Sequence, residues 1–127
     1  MSIRELQALA YKQSADKGFH DNEPTDGPAL LMLNAQRIAL MHSELSEALE
    51  ELRNGKAANE TYYPRHVPDA PACTCIAKPE GVPSEMADVV IRALDFCGAN
   101  DIDLESIITE KLAYNATRAH KHGGKTF

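Results

Sequence analysis

Apolar residues recur at Leu31, Ile38, Leu45 and Leu52, every seven positions, with Met41, Ala48 and Leu49 beside them. That spacing predicts a one-sided helix from near Pro28 to Arg53, roughly 39 Å long at about 1.5 Å per residue. A shorter helix is expected at the N-terminus, where Ser2 caps the first turn and Glu5, three residues on, completes a capping box; Ile3, Leu6, Leu9 and Ala10 form its apolar face. Between the two, "DKGFHDNEPTDGP" gathers glycine, proline and short polar residues into a loop. Val89, Val90, Ala93, Leu94 and Cys97 mark a third helix that opens at Pro83 and Ser84, with Ser84 as its cap, and closes at "GAND". Asp103 caps a fourth, whose Leu104, Ile107, Ile108 and Leu112 face inward until "HGG" stops it.

Residues 54–83 hold five prolines and the tip "NGKAAN", and read as an extended excursion between the second and third helices. Loops of that length are usually functional or disordered. No segment alternates with the period of a strand. The expected fold class is therefore all-α, with four principal helices packed as a bundle and a long Pro-rich loop between helices two and three, in a single domain over residues 1–127.

Charge narrows the function. With 19 acidic residues against 13 Lys and Arg, the net charge is −6. That balance disfavours duplex nucleic acid, whose binding needs a basic surface to displace counterions. No apolar run reaches the roughly 20 residues of a membrane span, and "MSIRELQALAYKQ" lacks a signal-peptide layout, so the expectation is a cytoplasmic protein without membrane contact. The three cysteines, an odd number, suit reduced thiols. Cys73 and Cys75, with His66, form a zinc alternative, although "CTC" is not the usual paired-ligand spacing.

Two acid pairs share the same three-residue spacing, Glu44 with Glu47 and Glu85 with Asp88, and that spacing puts each pair on one helical face. Glu44 and Glu47 adjoin the apolar stripe, whereas Glu50, Glu51 and Arg53 turn toward the polar side. Two outcomes are open: four solvated acids on outer faces, or two pairs meeting at the edge of the core. In the second case a cation is required, because like charges about 4 Å apart repel by roughly 4 kcal/mol at an effective dielectric of about 20. Carboxylates without a neighbouring His or thiolate favour Mg²⁺, with Mn²⁺ as its alternative, and Mg²⁺ commonly completes its shell from water and substrate phosphates. Lys111, Asn115 and Arg118 follow at i, i+4 and i+7 on the fourth helix, with Lys125 beyond, and offer donors for a polyphosphate. The same cations would also complement a helix C-terminus without any ligand. The amides of Asn34 and Gln36 are candidates for contacts to a base.

Taken together, "HSELSEALEELRNGK", "PSEMADVVIRALDFC" and "KLAYNATRAHKHGGK" resemble the MazG-like branch of the all-α nucleoside triphosphate pyrophosphohydrolases. That family carries E-E-x-x-E on one helix and E-x-x-D on another, which together bind Mg²⁺. Glu44, Glu47, Glu85 and Asp88 match those positions, and Ser43 replaces the first glutamate. The resemblance implies hydrolysis of a ribo- or deoxyribonucleoside triphosphate to the monophosphate and pyrophosphate. It also implies that the four acids are the catalytic metal ligands, that Lys111, Asn115, Arg118 and Lys125 contact phosphate, and that the chain forms a homodimer or homotetramer. A phosphoribosyl-ATP pyrophosphohydrolase and a non-catalytic helical interaction module are the competing expectations.

Overall fold

The first helix forms because its opening turn is closed from both sides. In the computed structural model, which describes residues 1–64 and 77–127, α1 runs Ile3–Asp16. The Ser2 hydroxyl accepts from the Glu5 amide at 3.1 Å while the Glu5 carboxylate accepts from the Ser2 amide at 2.8 Å, which is the expected capping box. Then follow α2 (Gly27–Arg53), α3 (Val82–Ala99), α4 (Leu104–Ala116) and a short turn of helix, α5 (Lys121–Gly124). Four of the five are substantial, and among the described residues there is no strand, only an isolated antiparallel bridge between Tyr62 and Glu80. The described residues thus form an all-α structure. The zinc alternative at His66, Cys73 and Cys75, and the middle of the Pro-rich loop, lie outside the described residues.

The chain divides into two compact units, one of residues 1–21 and 94–127, the other of residues 22–93. In the first unit α1 packs on α4. Arg4 meets Asp103 at 3.0 Å and Glu105 at 2.8 Å, an exposed network of small energetic value, while Gln7 donates to the Ile102 carbonyl at 2.8 Å. Gly98 has no side chain because Tyr11 lies against it, where a Cβ would come within 2.8 Å of Tyr11 Cβ. Tyr11 in turn covers the ring of His20 at 4.6 Å, and His20 Nε2 pairs with Asp95 at 2.7 Å. Asp103 caps α4 as expected, accepting from the Ser106 amide at 3.4 Å and hydroxyl at 2.8 Å.

In the second unit α2 faces the start of α3. About 40 Å of helix, at about 1.5 Å per residue, gives α2 its reach, and Arg37 ties the preceding loop to it through Glu23 at 2.6 Å. Three expectations about the helices change. Ser84 does not cap α3, which begins two residues earlier at Val82; the Ser84 hydroxyl instead donates to the Pro79 carbonyl at 2.9 Å. The stripe Leu31, Ile38, Leu45 and Leu52 is not buried within the chain, its members being 45–69% exposed. Periodicity reports that a face is apolar, not what covers it. Helix α4 ends at Ala116 with Thr117 as its C-cap, well before "HGG", so Arg118 does not continue the helical face of Lys111 and Asn115.

Candidate metal centre

What α2 buries is an acid. Glu44 is 8% exposed and Ala48, one turn on, 5%; the small alanine leaves room beside Glu44 for α3. From α3 comes Glu85, 7% exposed, with Asp88 half-buried one turn later. One carboxylate oxygen from each of Glu44, Glu85 and Asp88 lies within 4.8 Å of the others. Glu47 stands within hydrogen-bonding reach of Glu44 and Glu85. The two acid pairs of the sequence therefore meet, in the second unit. Ser43, beside Glu44, donates back to the Leu40 carbonyl at 2.6 Å and stays out of the cluster.

The electrostatics follow from burial. Desolvation first, then hydrogen bonding with Glu44 and Glu47, pushes the Glu85 carboxyl up from 4.5 to about 7. Burial acts on Glu44 in the same direction, but the hydrogen bond and charge of Arg92, with the neighbouring Glu85 and Glu47 carboxyls, outweigh it and hold Glu44 below its ordinary value. Arg92 Nε donates to Glu44 Oε1 at 2.8 Å. Among the described residues, Glu85 Oε2 is the buried side-chain oxygen with no hydrogen-bond partner. A buried oxygen facing other carboxyls and reached by no donor is costly unless a proton or a cation satisfies it.

Beside the cluster lies an open hollow of about 420 Å³, with Glu47, Glu50, Glu51, Glu80, Glu85 and Lys78 in its wall. The described ends of the excursion frame it. Tyr62 and Glu80 exchange backbone bonds of 3.1 and 2.8 Å, Lys56 lies over the Tyr62 ring at 4.3 Å, and the Tyr62 hydroxyl donates to Glu51 at 2.8 Å. Gly81 is required at this clamp: its φ is +111°, and a Cβ would stand 2.3 Å from the Glu60 carbonyl oxygen. Lys78 pairs with Glu80 at 3.2 Å. Glu50 is exposed as expected and pairs with Arg53 at 2.6 Å, although it too borders the hollow, whereas Glu51 is half-buried and accepts from the Tyr62 hydroxyl, which corrects its assignment to the solvated side.

Lys111, Asn115, Arg118 and Lys125 are all exposed and belong to the first unit. Lys111 and Arg118 approach the ring of Tyr114, at 5.6 and 5.9 Å. Lys125 lines a hollow of about 380 Å³ with Lys121, His122, Thr126 and Phe127. Of the base-contact candidates, Asn34 is half-buried and Gln36 exposed. Sequence reasoning missed Arg92, although its register was visible: Glu85, Asp88 and Arg92 fall at i, i+3 and i+7, on one face of α3.

Oxygen donors alone, three of them close together and one buried without a partner, fit a hard divalent cation of the Mg²⁺ or Mn²⁺ kind. Comparison of the chain with protein-family models, with curated proteins and with solved structures gives no match.

Proposed function

We propose that the chain is a Mg²⁺-dependent nucleoside triphosphate pyrophosphohydrolase of the MazG-like kind, with Mn²⁺ able to substitute, hydrolysing a ribo- or deoxyribonucleoside triphosphate to the monophosphate and pyrophosphate. The observation that carries this reading is the buried Glu85 Oε2, which lacks a partner and belongs to a carboxylate within 4.8 Å of those of Glu44 and Asp88. A solvated patch of acids would have no such atom.

Glu44, Glu85 and Asp88 hold the cation. Bound there, it supplies Lewis acidity toward phosphoryl oxygens and lowers the pKa of water. Glu47, exposed at the lip of the hollow yet in reach of Glu44 and Glu85, holds and orients the attacking water. The overall change adds water across the α–β anhydride and releases pyrophosphate. Lys111, Asn115, Arg118 and Lys125 contact phosphate in this reading, as the resemblance implies. The half-exposed stripe of α2 supports a homodimer or homotetramer, since such a row of leucines and isoleucine is ordinarily covered. No described helix is long and apolar enough to cross a membrane, and the acidic balance speaks against duplex nucleic acid. We place the activity in the cytoplasm.

The test is a pyrophosphate-release screen over canonical and modified triphosphates and phosphoribosyl-ATP, with Mg²⁺ and with Mn²⁺. Release above buffer for one class, abolished by a chelator, supports the proposal. Release at the buffer rate throughout returns the chain to the class of non-catalytic helical modules.

A further inference from the structure

We infer that Arg92 is a substrate-binding residue, anchored by its Nε to Glu44 and presenting its two Nη groups to the phosphate chain of the nucleotide. The inference rests on the proposed metal centre and adds to it a phosphate contact on α3.

The anchoring is unusual among the paired arginines of the described chain. Arg4, Arg37 and Arg53 commit terminal Nη groups to carboxylates. Arg92 instead uses Nε, at 2.8 Å from Glu44 Oε1, and its Nη groups have no partner among the described residues. Its side chain is 41% exposed against 11% for that of Glu44, so the inner end of the guanidinium is pinned on a buried acid while solvent still reaches the side chain. Helical side chains lean toward the helix N-terminus, which brings Arg92 back over the turn that carries Asp88 and Glu85. An arginine serving only to neutralise Glu44 would gain most from a two-pronged bond to it. The pair of Nη donors left over matches two oxygens of a phosphate group, and a guanidinium already fixed at one nitrogen loses little freedom on binding. A phosphate chain bound to a cation on these acids lies within the reach of such a side chain, where its negative charge meets the donors.

Charge separates this role from a merely positioning one. Arg92 repels a divalent cation, so its removal leaves the affinity for metal alone unchanged or tighter, but weakens binding of the anion. The experiment is calorimetric titration of the full chain, wild type and variants, with Mn²⁺ alone and then, for the Mg²⁺-loaded protein, with inorganic tripolyphosphate as a base-free probe. For Arg92→Gln the expected result is unaltered or tighter Mn²⁺ binding and a loss of about 10- to 100-fold in tripolyphosphate affinity, as for a charge-assisted pair. Arg92→Lys, which keeps the charge but not the fork, falls between. Unchanged tripolyphosphate affinity overturns the inference. So does a matching loss of Mn²⁺ affinity, which makes Arg92 a positioning residue for Glu44. If circular dichroism shows Arg92→Gln unfolded, Arg92→Lys carries the same two comparisons. A wild-type protein that binds no Mn²⁺ removes the metal centre itself, and that failure is read before any variant is made.

Discussion

Replacing Glu85 by glutamine is expected to stabilise the metal-free protein at pH 8. The carboxyl is buried, and burial with the neighbouring acids raises its pKa from 4.5 to about 7. A group whose folded pKa exceeds its unfolded one contributes stability that is complete below the unfolded value and lost as the pH climbs through the folded one. For Glu85 the window runs from about pH 4.5 to pH 8. At about 1.36 kcal/mol per pH unit, the loss across it is up to about 3 kcal/mol. Glu44 titrates below 4.5 in the folded state, outside this window. Glutamine keeps the shape and removes the charge, so Glu85→Gln should recover much of that loss at pH 8 and nothing at pH 4.5. For a domain of this size each kcal/mol moves the melting midpoint by roughly 2–8 °C. The assay is thermal unfolding by circular dichroism from pH 4.5 to 8.5, in chelator and in Mg²⁺. Mg²⁺ should raise the wild-type midpoint, by about 2.7 kcal/mol of stability at a hundredfold excess over Kd, and leave the variant where it was. A metal-free variant that melts at or below wild type at pH 8, or one that gains as much at pH 4.5, would refute the reasoning.

Glu47→Gln and Asp88→Asn should each abolish pyrophosphate release while leaving helical content intact, whereas Glu50→Gln, whose partner is the exposed Arg53, should change turnover little; kinetics beside circular dichroism read both. Because Glu85 titrates near 7, its proton competes with Mg²⁺, and calorimetry should find apparent affinity about tenfold weaker at pH 6 than at pH 8; a flat profile would exclude Glu85 as a ligand. Leu45→Glu places a charge on the half-exposed stripe of α2 and should convert the proposed homodimer or homotetramer to monomers in sedimentation, whereas a wild-type chain that already sediments as a monomer, or an unchanged oligomeric mass, would refute an interface at this stripe.

What the sequence revealed divides by the range of the cause. The Ser2–Glu5 capping box and the Asp103 cap were legible because each is made by residues three apart. The spacing of the acids put each pair on one face, but the meeting of Glu44 with Glu85 depends on how α2 packs on α3, which periodicity leaves open. The stripe from Leu31 to Leu52 is legible as an apolar face, but the sequence does not say what covers it, and an acid and an alanine fill the position turned inward. The end of α4 was missed because "HGG" is a strong local stop and Thr117 a weak one. The role of Arg92 is not legible in the sequence because its partner, Glu44, lies 48 residues away on another helix.

The central claim is that these four acids direct water to the α-phosphorus of a nucleoside triphosphate. It is tested most directly by ³¹P NMR of the reaction run in ¹⁸O-water with Mg²⁺, on the triphosphate that the screen selects. The account predicts monophosphate and pyrophosphate in equal amounts, the ¹⁸O carried on the monophosphate, and no reaction with Asp88→Asn. Release of orthophosphate and a diphosphate, or ¹⁸O found in pyrophosphate, would contradict it.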